Sequence, residues 1–362
     1  MPRTIILTAF LLLMSAHSLS AQIEEPKLTP VPSTENQQRL IREGVVLHDN
    51  KDYDGAIRKY EEVLKENPDN IDALHEIGFS YSLKGDYRKS LEAAYSGARY
   101  KSPLLAAFYL SIGNNQDELG DSKKAIEAYK AGIKLSPNIA ILHFNLAITY
   151  IRTGKLEEAR KSAKRAVVLN PNHPGSHLVL GDLFRKGGYK TPVLLAMSRF
   201  LVLEPKSDRS LSAYTIVQNV LRGGVTGGDK PGDTIITLEM SSKKDEGDFD
   251  AIDLAMGLLK AGDSLEENKG KSKMQLAVEQ LNTFFSILSE LDQKENKSRF
   301  VFKYYVPYFS EMKKRNFVEP FYYYISRSSN NPEVEKWLDG NFRRVNDFLN
   351  WSRQYQWAKI ED

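Results

Sequence analysis

The sequence predicts an all-α protein: an α-solenoid of helix–turn–helix repeats followed by a helical C-terminal module. Three observations carry this. Small residues recur at Gly44, Gly78, Gly113, Ala147 and Gly181, spaced by 34, 35, 34 and 34 residues. Prolines recur at Pro68, Pro103, Pro137, Pro171 and Pro205, spaced by 35, 34, 34 and 34, so two independent markers keep one period. Between the markers, apolar residues fall at helical steps, as in Leu142, Leu146 and Tyr150.

Residues 1–21 read as an export signal. Arg3 precedes a nearly unbroken apolar run from Ile5 to Ala16, and Ser18 to Ala21 offers small residues for cleavage near Ala21. The run is too short to cross a bilayer core, which needs about 20 apolar residues. No cysteine follows it, so a lipid anchor on cysteine is excluded, and no later segment is apolar enough to span. The expected mature chain starts near Gln22 and is periplasmic or secreted, neither membrane-spanning nor lipid-anchored.

The repeat domain is expected over residues 22–222, with units at about 37–70, 71–105, 106–139, 140–173 and 174–207. Gly85, Gly120, Gly154 and Gly188 supply the turn inside a unit, and Ala56, Ala125 and Ala159 are the matching small residues on second helices. In the fourth unit the second helix carries Leu156, Ala159, Ala163, Ala166 and Val167 on one face. Asn170-Pro171 ends it, because proline disfavours helical backbone in the residue before it. The second unit departs from the pattern, with Ser90 and Ala94 where a small and an aromatic residue are expected. The fifth carries Val193 in place of alanine, and Thr191-Pro192 reads as a cap followed by a first-turn proline. A capping helix is expected over 208–222, with Leu211, Tyr214, Val217 and Leu221 on one stripe.

Glycines 223, 224, 227, 228 and 232 with Pro231 mark residues 223–247 as a linker or loop. Residues 248–362 return to helical patterning without the period, with helices expected near 249–262, 273–292, 299–313, 316–327 and 332–354. Residues 208–362 hold 21 of the 37 aromatics and all three tryptophans. Phe302, Tyr305, Tyr308 and Phe309 recur as a helical core stripe does. Tyr322 to Tyr324, Trp351 and Trp357 exceed what one face can hide.

Composition excludes several chemistries. With 50 basic and 47 acidic residues the net charge is +3, which supplies no phosphate-binding excess, so no nucleic acid is expected. The absence of cysteine removes disulfides, thiolate metal sites and a cysteine nucleophile. No histidine lies beyond His177, so the C-terminal half holds no self-contained histidine hydrolase or zinc site. The acids Asp245, Glu246, Asp248, Asp250 and Asp253 lack the calcium-loop arrangement and read as carboxylates gathered at a helix N-terminus. Arg160, Lys161, Lys164 and Arg165 read as a solvated basic face. No catalytic set, metal or cofactor is expected.

The segment Asn145-Leu146-Ala147-Ile148-Thr149-Tyr150 with Gly154, Ala159 and Pro171 resembles the tetratricopeptide repeat, a helix–turn–helix family. Gly44, Ala56, Tyr60 and Pro68 resemble it in the first unit, and the likeness extends over about residues 37–207. The resemblance implies a right-handed superhelix whose first helices line a concave groove for extended peptides or partner helices. Carried over position by position, the groove candidates are His75, Phe79, Leu110, Asn114, Phe144, Asn145, Ile148, Arg152, Asp182 and Arg185. Asn114 and Asn145 fall where chaperone-binding members carry carboxylate-clamp asparagines, but the clamp's cationic places fall on Leu110, Gly175 and Val179. A clamp is therefore not expected; Phe79, Phe144 and Ile148 suit a segment with apolar anchors. The implied function is an exported, non-catalytic scaffold for a protein or peptide partner in a cell-envelope complex. The alternatives for the C-terminal half are a carboxylate-dependent envelope enzyme or an aromatic glycan- or cell-wall-binding module.

Overall fold

The computed structural model describes residues 26–222, 225–227, 234–236, 244–264, 268–291, 296 and 298–360. The expected export signal lies outside the described residues, as does most of the glycine-rich stretch. Eleven helices form the N-terminal part: α1 (Glu35–Asp49), α2 (Tyr53–Glu66), α3 (Ile71–Lys84), α4 (Tyr87–Gly97), α5 (Leu105–Glu118), α6 (Ser122–Leu135), α7 (Ala140–Arg152), α8 (Leu156–Leu169), α9 (Pro174–Gly187), α10 (Lys190–Leu203) and α11 (Asp208–Leu221). Two short strands follow, β1 (Val225–Gly227) and β2 (Thr234–Ile236), then α12 (Asp250–Ala261), α13 (Lys273–Glu290), α14 (Phe300–Lys314), α15 (Val318–Ile325), α16 (Pro332–Gly340) and α17 (Phe342–Gln354).

Local chemistry explains where helices start and stop. Thr34 and Gln37 form a reciprocal capping box at α1, and the side chains of Asp52, Asn70, Asp86 and Asp121 accept the third backbone N–H of the helices they precede. The turn glycines Gly85, Gly120, Gly154 and Gly188 have φ of +86°, +82°, +74° and +81°, a conformation that costs glycine nothing. Gly44 and Gly113 serve close approach instead. A Cβ there would lie 2.4 and 2.2 Å from ring atoms of Tyr60 and Tyr129, which the second helix lays across the first.

Along the solenoid α1, α3, α5 and α7 touch one another in succession as well as their own partners, so first helices make the tightly curved inner face. The C-terminal helices pack mainly against second helices, and Tyr305 also meets His177 on α9. Helices α12, α14 and α15 lie against α10, and α12 also meets α11. One apolar core runs without a break from Ala125 in the third repeat to Phe348 in α17. Helix α10 is correspondingly buried all round, from Thr191 to Val202, as an apolar helix between two layers must be.

Four sequence-based expectations change. The stretch 223–247, read as a loop, contains an antiparallel strand pair, Val225–Gly227 with Thr234–Ile236. The helix expected over 332–354 is two helices, broken at Asn341, whose side chain donates to the Trp337 carbonyl and competes with the helical ladder. Tyr189, not Thr191, is the N-cap of α10, and the Thr191 hydroxyl donates to Asp253 at 2.8 Å. Finally, Lys161 alone of the basic face of α8 is exposed, and the acidic run divides: Asp250 and Asp253 stand in the first turn of α12 as expected, whereas Asp245 and Glu246 turn to α8. Arg160 lies 2.7 Å from Asp245, while Lys164 pairs with the fully buried Glu246. Opposite charges were placed on two segments that fold against each other.

Candidate functional site

All ten groove candidates lie on first helices, α3, α5, α7 or α9. Four of them come together. His75, Phe79, Leu110 and Asn114 line a cavity of about 220 Å³ between α3 and α5, whose floor includes Gly78, Ala94 and Ala107. Phe79 is 48% exposed and stacks on His48, with ring centroids 4.8 Å apart. His75 is half-buried, its ring edge-on to Phe108 at 5.9 Å.

Beside the cavity runs a polar ladder. The Tyr129 hydroxyl donates to Asn114 Oδ1 at 2.7 Å, and Asn145 Nδ2 donates to the same oxygen at 2.7 Å. Burial, reinforced by the Asp117 carboxylate, holds the Tyr129 phenol far above its ordinary value, so it stays a donor. With Oδ1 committed, the exposed Asn114 amide keeps Nδ2 as the donor for a ligand carbonyl.

The other candidates divide. Ile148 is half-buried on α7. Phe144 is half-buried too, but its ring packs edge-on to His173 at 4.8 Å, which ties it to the packing of α7 against the next repeat. Arg152 is exposed and lies 3.4 Å from the buried Asp117, whose other oxygen accepts from Thr149. Its charge therefore also compensates a buried carboxylate. Asp182 accepts from Arg185 Nε at 3.2 Å within one turn of α9, away from the cavity.

The C-terminal aromatics are mostly core. Trp357 stacks between Tyr304 at 4.7 Å and Tyr308 at 4.8 Å, Trp351 stacks on Tyr308 at 5.0 Å, and Tyr322 and Tyr323 are buried. Rings that one helix face could not hide are hidden by packing against several helices. Trp351 and Tyr355 also line an open cleft of about 970 Å³ between α14 and α17, with Glu311 and Asp347 on its walls. Among the described residues no three His, Asp or Glu side chains are grouped to hold a metal. No helix among them is long and apolar enough to cross a membrane.

Sequence reasoning marked Ala94 only as a departure from the repeat, yet that residue is part of the cavity floor. Residues 110–186 match a family model described as tetratricopeptide repeat, and residues 44–85 match one described as TPR repeat. A TPR repeat-containing protein of Methanocaldococcus jannaschii is 32% identical over 126 residues, covering 33% of this chain and 21% of that protein. The chain thus spans about a fifth of the length of that curated relative. Among solved structures, a thermophilic TPR protein of Thermus thermophilus is 23% identical, with a TM-score of 0.41, covering 51% of this chain and 98% of that one. PilF of Pseudomonas aeruginosa is 16% identical, with a TM-score of 0.43, over 52% and 89% of the two chains. YrrB, described as a TPR protein with an unusual peptide-binding site, is 16% identical, with a TM-score of 0.39, over 49% and 90%.

Proposed function

From a chain whose residues 44–85 and 110–186 are tetratricopeptide repeats, we propose an exported, non-catalytic scaffold that holds an extended protein or peptide segment in its inner groove. The observation that carries this is the side on which the C-terminal module docks. Among the described residues it covers α10, reaches Lys164 on α8 and His177 on α9, and does not line the cavity beside the exposed Phe79. An apolar surface kept open to water is a common mark of an interaction site. The cavity takes an apolar anchor, and Asn114 supplies a donor for the backbone of a bound segment. Export rests on the apolar run Ile5 to Ala16 and the small residues after it.

The test is affinity capture from envelope extract with the chain from Gln22 onward, beside a Phe79→Ala, Ile148→Ala double variant. The partner retained by the native chain binds the variant more weakly by roughly 1–3 kcal/mol, the range for interface anchors. Equal retention would remove the groove from consideration. A second reading rests on the α14–α17 cleft, where Trp351 and Tyr355 stand beside Glu311 and Asp347 as a saccharide-binding wall would. Trp351→Ala and soluble cell-wall oligosaccharides in a titration separate it from the first.

A further inference from the structure

The cavity between α3 and α5 exists because the second repeat lacks a ring that two other repeats have. In the first and third repeats Tyr60 and Tyr129 lie across the glycines Gly44 and Gly113. The position 34 residues after Tyr60 and 35 before Tyr129 is Ala94. The seat for the ring is nevertheless kept: Gly78 has no side chain, and a Cβ there would make ordinary contacts with Ala93 Cβ at 3.4 Å, the Ser90 carbonyl at 3.6 Å and Ser90 Oγ at 4.0 Å, with no ring against it. In the fifth repeat Met197 fills the same place, 2.9 Å from a Cβ built at Gly181. The fourth repeat has Ala163 there but opposes it with Ala147, so its seat carries a methyl group. Only the second repeat combines a glycine seat with alanine opposite.

We propose that the space left by the missing ring is an acceptor site for an aromatic side chain of the partner. A segment lying along the inner face inserts a phenylalanine or tyrosine between α3 and α5 and completes the second repeat from outside. This deepens the groove reading and rests on it. The size agrees: the cavity measures about 220 Å³, and engineered apolar cavities of about 150 Å³ accept benzene. The lining agrees as well. Ala94, Ala107 and Leu110 are apolar, and Asn114 and Ser111 at the rim offer polar partners for the inserted residue's backbone or phenol.

The experiment uses p-cresol as probe in ligand-observed NMR with the chain from Gln22 onward. The native chain binds p-cresol saturably. Ala94→Tyr, which supplies the ring internally, weakens it at least tenfold and raises the melting temperature. Ala94→Leu fills the space in part and gives an intermediate loss, which keeps the test decisive should the larger substitution disturb folding. No p-cresol binding, or equal binding by the native chain and both variants, overturns the proposal. A randomised linear peptide library separates this from the groove reading. Selected peptides should depend on one Phe or Tyr and be lost with Ala94→Tyr. Peptides that are lost with Phe79→Ala but indifferent to their aromatics and to Ala94→Tyr overturn the acceptor site and leave the groove standing. No selected peptide beside p-cresol binding that Ala94→Tyr removes counts against the groove and leaves the cavity as an aromatic site.

Discussion

Lys164 on α8 and Glu246, 82 residues later, form an ion pair in which the carboxylate has no solvent exposure. Arg160 lies 3.4 Å from the same oxygen, so two cations of one helix hold the segment leading into α12. Burial pushes the Lys164 ammonium below its ordinary pKa, against the pull of Glu246. The pair fastens the C-terminal module to the fourth repeat on the face away from the groove.

Replacing Glu246 by glutamine keeps the shape and removes the charge. Stability should fall by roughly 1–3 kcal/mol, the worth of charge-assisted hydrogen bonds and of leaving buried donors poorly paired. Urea unfolding of the variant and the native chain measures it. Because the pair is buried, the loss should change little between low and moderate salt. An unchanged unfolding midpoint would mean the segment is held by its apolar contacts alone.

A chain ending at Arg222 should not be as stable as the same repeats in the full protein. Solenoid repeats rest on their neighbours, which by itself favours an independent fragment. Helix α10, however, is buried on the side that the C-terminal module covers, and truncation would present that side to water. The expected result is a lower melting temperature by circular dichroism, with hydrogen exchange faster in α9 to α11 than in α1 to α7. Identical melting of fragment and full chain would contradict this.

Half-buried Asp253 and buried His177 titrate with opposite sign in mild acid. Burial pushes the Asp253 carboxyl up from 3.8 to about 6, opposed by its hydrogen bond from Thr191. The native state therefore holds this proton more tightly, and stability falls as pH rises from about 4 to 6. Burial, aided by Arg199, pushes His177 down from 6.5 to about 3, so stability falls as pH drops below about 6.5. Each contributes about 1.4 kcal/mol per pH unit where only one state binds the proton. Their slopes cancel between about pH 4 and 6. Asp253→Asn keeps the place and removes the titration, so acid destabilisation should steepen by roughly 2–3 kcal/mol over that window. Denaturant midpoints at pH 4, 5 and 6 check it; parallel profiles for both proteins would refute the assignment.

The repeat was legible in the chain because its markers obey local rules. Gly85, Gly120, Gly154 and Gly188 are required by positive φ, and Gly44 and Gly113 by the ring laid against them within the same unit. Such requirements recur every 34 or 35 residues and need no knowledge of distant contacts. The placement of the groove candidates on first helices followed from the same register. What the chain alone did not decide is which charges and rings meet across long separations. Arg160 and Lys164 look solvated until Asp245 and Glu246 fold onto them, and Trp357 looks surplus until Tyr304 and Tyr308 enclose it. Ala94 is a small deviation in sequence, and it becomes part of a cavity only once Gly78 and α5 surround it. Local backbone geometry and intra-repeat packing are written in periodic residues. Burial, pairing and empty space belong to tertiary contacts, where the partner of a side chain lies tens to hundreds of residues away.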